Sequence, residues 1–202
     1  MTSAKKVLLI NTHLTYPNWS EGLLNDSFNQ KAKDFFIEKG FEVLETKVEN
    51  GYDANEEVEK HIEADIIILQ TPINWFGAPW IYKKYVDEVF NSGLQSAKFL
   101  SGDGRTREDL TKQYGTGGKM EGKKFMVCAT WNAPKASFGD PSQTLFEGRS
   151  TADVLIQITS NYRFCGVETV QDYNCFDIFK DGDIAGDLKN YPNHLQKAFD
   201  ID

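Results

Sequence analysis

Short apolar runs alternating with helical patterns constrain this chain more than any other feature. Val7-Leu8-Leu9-Ile10, Ile66-Ile67-Ile68-Leu69 and Phe125-Met126-Val127-Cys128-Ala129 are brief and uninterrupted, as expected of strands buried on both faces of a parallel sheet. The predicted strands are Val7 to Asn11, Phe41 to Val48, Ala64 to Thr71, Lys123 to Thr130 and Glu168 to Asp172. A first helix carries Leu24, Phe28, Ala32 and Phe35 on one face and ends near Gly40; others are predicted over Asn55 to Ile62, Trp80 to Asn91, Thr151 to Phe164 and Ile184 to Phe199. This alternation predicts an α/β fold with a doubly wound five-stranded parallel sheet, order 2-1-3-4-5, and helices on both faces. At 202 residues and 40% hydrophobic content, the chain suffices for one well-buried domain and is short for two.

In such a sheet, ligands bind outside the carboxyl ends of the strands, and three loops fall there. The first ends in Ser20-Glu21-Gly22 before a helix that opens with Leu23, Leu24, Asn25, Asp26 and Ser27. A helix start offers amide N–H groups to phosphate, although a serine there reads equally well as an ordinary cap. The second loop is Pro72-Ile73-Asn74-Trp75-Phe76-Gly77-Ala78-Pro79-Trp80. Aromatics after a buried strand more often pack than bind, yet here two prolines stiffen a surface turn that can hold a flat ligand. The third loop, Thr130-Trp131-Asn132-Ala133-Pro134, again sets an aromatic among hydrogen-bonding neighbours.

The formal charge of −8 argues against a surface that tracks nucleic-acid phosphates. No apolar stretch approaches the roughly 20 residues that span a bilayer, and the N-terminus has no signal-peptide core; a cytoplasmic protein is expected. Cys128, Cys165 and Cys175 show no metal-ligand spacing and read as buried thiols. His13, His61 and His194 are scattered, leaving no acid, base and nucleophile constellation, so the chemistry is expected from a bound cofactor.

The ordered motifs Ser20-x-Gly22-x-Leu24-Asn25, Pro72-x-x-Trp75-x-Gly77-Ala78-Pro79-Trp80, Asp103-Gly104-Arg105-Thr106-Arg107, Lys112-x-Tyr114-Gly115-x-Gly117-Gly118 and Thr130-Trp131-Asn132-Ala133-Pro134 resemble the modulator of drug activity B family. Its members are flavin-dependent NADPH:quinone reductases within the flavodoxin-like, DT-diaphorase-related group. The resemblance implies FAD as cofactor, NADPH as co-substrate, a quinone as acceptor and a homodimer. Ser20 to Ser27 would cover the FAD pyrophosphate. Ile73, Asn74, Trp75, Phe76, Thr130, Trp131, Asn132 and Ala133 would line the flavin, and Tyr114 would contact it, from the neighbouring protomer in one arrangement. Trp75, Asn132 and Tyr114 would serve the reacting rings. The chain departs from the family in a longer loop between Asn11 and Ser20, and in Ile73-Asn74 where Gly-Trp is expected. An FMN-binding electron carrier and a non-catalytic flavodoxin-like binding module remain alternatives.

Ser92 to Gly122 and Asn132 to Gly148 are long and irregular, which in a compact domain marks function or disorder. Both are expected to leave the same edge of the sheet and to wall a pocket or a dimer interface. Asp103, Arg105 and Arg107 read as a solvated charged turn or as a guide for the NADPH phosphates.

Overall fold

The computed structural model describes residues 4–201. Among these, five α-helices and six strands follow in the order β1 (Lys6–Asn11), α1 (Leu23–Glu38), β2 (Glu42–Lys47), α2 (Ala54–Glu63), β3 (Ile66–Pro72), α3 (Trp80–Gln95), β4 (Lys124–Thr130), α4 (Thr151–Phe164), β5 (Glu168–Thr169), β6 (Tyr173–Cys175) and α5 (Ile184–Ala198). All pairings are parallel, in the order β2-β1-β3-β4-β5, with β6 also on β4. The predicted order holds.

Side chains alternate across the sheet and build two cores. Leu8, Ile10, Ile67, Leu69, Phe125 and Val127 face α2, α3 and α4, meeting Val58, Tyr85, Val89, Leu155 and Tyr162. Val7, Leu9, Ile66, Ile68 and Met126 face α1 and α5, meeting Phe28, Ala32, Phe36, Tyr191 and Leu195. Every residue of β3 is buried. A fully buried Ile or Leu contributes about 1.5–3 kcal/mol, so the central strands hold the sheet.

The fifth strand is interrupted, where one strand from Glu168 to Asp172 was expected. It pairs at Glu168–Thr169, breaks, and resumes at Tyr173–Cys175. At the break the Asp172 carboxylate accepts the Val127 N–H at 2.9 Å, replacing a ladder carbonyl with a side chain.

The two irregular excursions leave opposite edges of the sheet, contrary to expectation. Residues 132–148 follow β4 at its carboxyl end. Residues 96–122 lie between the end of α3 and the start of β4, which is the amino edge. There Phe99 and Met120 are buried, the Met120 N–H donates to Cys165 O at 2.9 Å, and Leu100 bridges Gly118. Reaching the next strand requires the chain to cross back along a helix, so a segment after that helix starts at the far edge.

Candidate functional site

The loop after β1 has already spent many of its donors. Thr12 gives its N–H and its hydroxyl to Gln70 O at 3.0 and 3.3 Å, and the His13 N–H goes to Asn11 Oδ1 at 2.9 Å. The Thr15 N–H and hydroxyl go to the Glu49 carboxylate at 2.7 and 2.9 Å. At the loop's end Ser20 pairs with Tyr16 in an isolated bridge, and its carbonyl accepts the His13 Nε2–H at 3.2 Å. Ser20 is therefore not the cap of α1. Gly22 takes that place, at φ 83°, with no side chain on the first N–H groups of the helix.

Gly22 is required there for two reasons. A left-handed backbone disfavours any side chain, and a Cβ would stand 2.5 Å from His13 Cδ2. With Nε2–H committed to Ser20, His13 Nδ1 is buried without a partner. α2, α4 and α5 spend Asp53, Ser150 and Asp183 on their own starts. α1 keeps its donors at the crevice between β1 and β3, where the strand order reverses.

The other candidates of this first turn are held in place. The Asp26 carboxylate accepts from Asn11 Nδ2 at 2.8 Å and pairs with Lys47, Glu21 accepts the Asn18 N–H at 3.1 Å, and Leu23 is exposed. The Ser27 hydroxyl donates to Leu23 O at 2.7 Å, so it is engaged within the helix. Asn25 is buried, and its Oδ1 accepts from Gln70 Nε2 at 2.8 Å and from Thr130 Oγ1 at 3.5 Å.

After β3 the chain makes a tight hairpin. The Asn74 N–H donates to Gly77 O at 2.8 Å and the Gly77 N–H to Asn74 O at 3.2 Å, with Trp75 at φ 51° and Phe76 at φ 67° between them. Two consecutive aromatics in the left-handed region are strained, a condition that concentrates at functional sites. Their N–H groups find no partner among the described residues. The Trp75 side chain is 93% exposed. Phe76 packs edge-on against Phe146, centroids 5.9 Å apart, and the Ile73 N–H ties the turn to Thr130 O at 2.9 Å.

The third loop is anchored by an indole. Trp131 is 2% exposed, edge-on to Phe138 at 5.1 Å and stacked with Phe176 at 6.4 Å, while Phe138 stacks on Phe146 at 4.3 Å. The Trp131 N–H donates to Cys175 O at 2.8 Å and its carbonyl accepts the Ile178 N–H at 3.1 Å, so the buried ring and the backbone of Trp131 both serve to anchor the loop. Asn132 is exposed and Ala133 half-buried. Phe138, Phe146 and Phe176 were not singled out from sequence. The available signal was two phenylalanines in an otherwise Gly-, Pro- and Ser-rich segment.

Ser20 to Ser27, Ile73 to Phe76 and Thr130 to Ala133 thus share the carboxyl edge. Tyr114 does not. Its ring lies 5.1 Å from Phe164, at the far end of a 14-residue helix, roughly 20 Å from that edge. Arg105 stacks on it at 5.4 Å and pairs with Asp103, holding that carboxyl below its usual range. Two open concavities run along α5 near Asn193 and Lys197 and beside α4 near Arg163 and Asp172. With Trp75 and Asn132 exposed, the carboxyl edge is an open shelf.

An uncapped helix start at the strand-order switch, beside a strained aromatic turn, lies where open α/β sheets bind their ligands. The chain belongs to the Flavodoxin_2 family of flavodoxin-like fold, whose model matches residues 5–197. Within it, the chain is 36% identical over 180 residues to the NADPH:quinone oxidoreductase MdaB of Haemophilus influenzae, covering 89% of this chain and 92% of that one. It is also 36% identical over 194 residues to an uncharacterized protein of Schizosaccharomyces pombe, covering 96% and 97%.

Two solved structures show the same fold. One, assigned as a candidate quinone reductase from Klebsiella pneumoniae, aligns with a TM-score of 0.78 at 20% identity, covering 98% of this chain and 86% of that one. The other, general stress protein 14 of Treponema denticola in complex with FMN, gives 0.64 at 17%, covering 98% and 99%.

A flavin fits the residues present. The free helix start suits a phosphate-bearing ligand, and the unpaired N–H groups of Trp75 and Phe76 suit the polar rim of a flat ring.

Proposed function

We propose that this chain is an FAD-dependent oxidoreductase that transfers two electrons from NADPH to quinones by a ping-pong mechanism. The observation that carries the reading is the pairing of a donor-bearing helix start at the switch point with the left-handed Trp75-Phe76 turn. Kinship to MdaB over nearly the whole chain supports the substrates. A bound flavin supplies the hydride chemistry. The N–H groups of Leu23, Leu24 and Asn25 would hold its phosphates, and Trp75 and Phe76 would orient the ring. The backbone at Asn132 and Ala133 would stabilise negative charge on the ring's polar edge. Donor and acceptor would use one shelf in turn, with Trp75 and Asn132 beside the reacting rings. An enzyme spending NADPH in this way fits the cytoplasm.

FAD is favoured over FMN because the segment directly after β1 has committed the donors that a flavodoxin-type phosphate loop requires. The alternative, an FMN-binding electron carrier, predicts stoichiometric FMN. Chromatography of the acid-released cofactor decides: FMN, or no uptake of added FAD, ends the FAD reading. Parallel double-reciprocal lines with NADPH and a benzoquinone are expected, and intersecting lines would remove the shared shelf.

We infer further that the working unit is a homodimer in which Tyr114 of one chain covers the shelf of its partner. Its position far from the shelf of its own chain supports this. So do the exposed apolar side chains of Leu110, Tyr114, Trp75 and Ile156, which a second copy would cover.

A further inference from the structure

Gln70 is the first polar residue of β3 after Ile66-Ile67-Ile68-Leu69, and it is only 1% exposed. It lies between Asn11 of β1 and Cys128 of β4 in register, at the floor of the strand-order switch. Its carbonyl accepts both donors of Thr12, and its Nε2 donates to Asn25 Oδ1 at 2.8 Å. Asn25 in turn meets Thr130 Oγ1 at 3.5 Å. One residue therefore touches the loop after β1, the first turn of α1 and, through Asn25, the end of β4.

For stability alone this is a poor choice. Gln70 Oε1 is buried with no partner, and an unsatisfied buried polar atom is unfavourable where an apolar side chain would pack freely. A local rule broken in this way marks a functional demand. We propose that Gln70 is the positioning residue that registers the phosphate-binding start of α1 against the loops after β3 and β4, so that flavin affinity depends on its side-chain amide. This rests on the flavin reading of the carboxyl edge. The amide N–H orients Asn25, the third residue of α1, and a shift of Asn25 re-aims the adjacent N–H groups of Leu23 and Leu24.

The test compares the wild type with Gln70→Leu and Gln70→Glu, titrating apoprotein with FAD and with FMN by flavin fluorescence at pH 5 and pH 8.5. Urea unfolding of each apoprotein is measured in parallel. Gln70→Leu is expected to weaken binding about tenfold at both pH values, the loss of one orienting hydrogen bond, without a lower unfolding midpoint. Gln70→Glu is expected to bind more nearly like the wild type at pH 5, because burial at this position raises the introduced carboxyl and favours the protonated form that donates to Asn25 Oδ1. At pH 8.5 the carboxylate has no proton to give, and binding should fall relative to the wild type.

Affinities within twofold of wild type for both variants at both pH values would overturn the proposal. So would a loss in Gln70→Glu that is independent of pH and tracks a lower unfolding midpoint, since the role would then be structural. A wild type that binds neither flavin overturns the underlying site reading instead.

Discussion

The indole nitrogen of Trp131 donates to Asn174 Oδ1 at 2.8 Å, and this bond fastens the loop after β4 to the resumed edge strand. The Trp131 N–H also reaches Cys175 O at 2.8 Å. Replacing Asn174 with Ala leaves a buried indole N–H unpaired, which costs about 1–3 kcal/mol. The expected result is a lower urea midpoint, together with faster flavin release as the Phe138 and Phe146 stack loosens. Trp131→Phe with Asn174→Ala should cost less than the sum of the single changes, because the orphaned donor is gone. Strict additivity in that cycle would mean the bond does not couple the two segments.

Gly22 and Gly40 form an internal control. Both have left-handed backbones, at φ 83° and 78°, but a Cβ on Gly40 meets nothing within 4 Å, whereas one on Gly22 runs into His13. Gly40→Ala should cost only the backbone strain, about 1–2 kcal/mol, with flavin binding unchanged. Gly22→Ala should cost more and should displace His13, weakening flavin binding by about tenfold or more. Equal effects of the two on binding would show that the Gly22 and His13 contact has no part in the site.

The strand order and the ligand edge were legible in the sequence because apolar runs and the residues that follow them are local signals. Gly22, Asn25, Trp75 and Asn132 could be placed from their position after a strand. Tyr114 could not, because its location depends on which edge a thirty-residue excursion leaves, and irregular sequence has no periodicity to report that. The break between Thr169 and Tyr173 was hidden for a related reason: a side chain, Asp172, completes the ladder where a backbone group was expected. Burial of Trp131 also escaped notice, since its partner Asn174 lies 43 residues away.

A half-buried carboxyl, Asp172, and a fully buried imidazole, His61, give stability opposing pH dependences. Burial lifts Asp172 to about 6, so its folded form holds a proton more tightly than the unfolded chain. The penalty is absent below about pH 4, grows between pH 4 and 6, and is complete above. Asp172→Asn keeps an acceptor for the Val127 N–H and removes the charge. It should stabilise the apoprotein by about 1–3 kcal/mol at pH 7.5 and lose that advantage near pH 4. Burial lowers His61 to about 4, so its contribution is intact above pH 6.5 and is lost as pH falls toward 4. His61→Phe, set among Tyr85, Phe90, Phe99 and Tyr162, should flatten that acid limb. Urea melts across pH 4–8 check both signs.

Tyr114 and Trp75 sit at opposite edges of one chain, and this makes the shared-site reading testable by complementation. Tyr114→Ala should slow quinone turnover and loosen flavin without lowering stability, because the ring is 68% exposed. Trp75→Ala should damage the shelf itself. In a dimer joining the two variants, the intact shelf of the Tyr114→Ala chain is covered by the intact Tyr114 of its partner, and the other site lacks both. Random re-association of an equal mixture gives half heterodimers, each with one good site, so activity should return to about a quarter of wild type. A mixture no more active than its components, or an enzyme fully active as a monomer by light scattering, would mean that Tyr114 does not act across the interface.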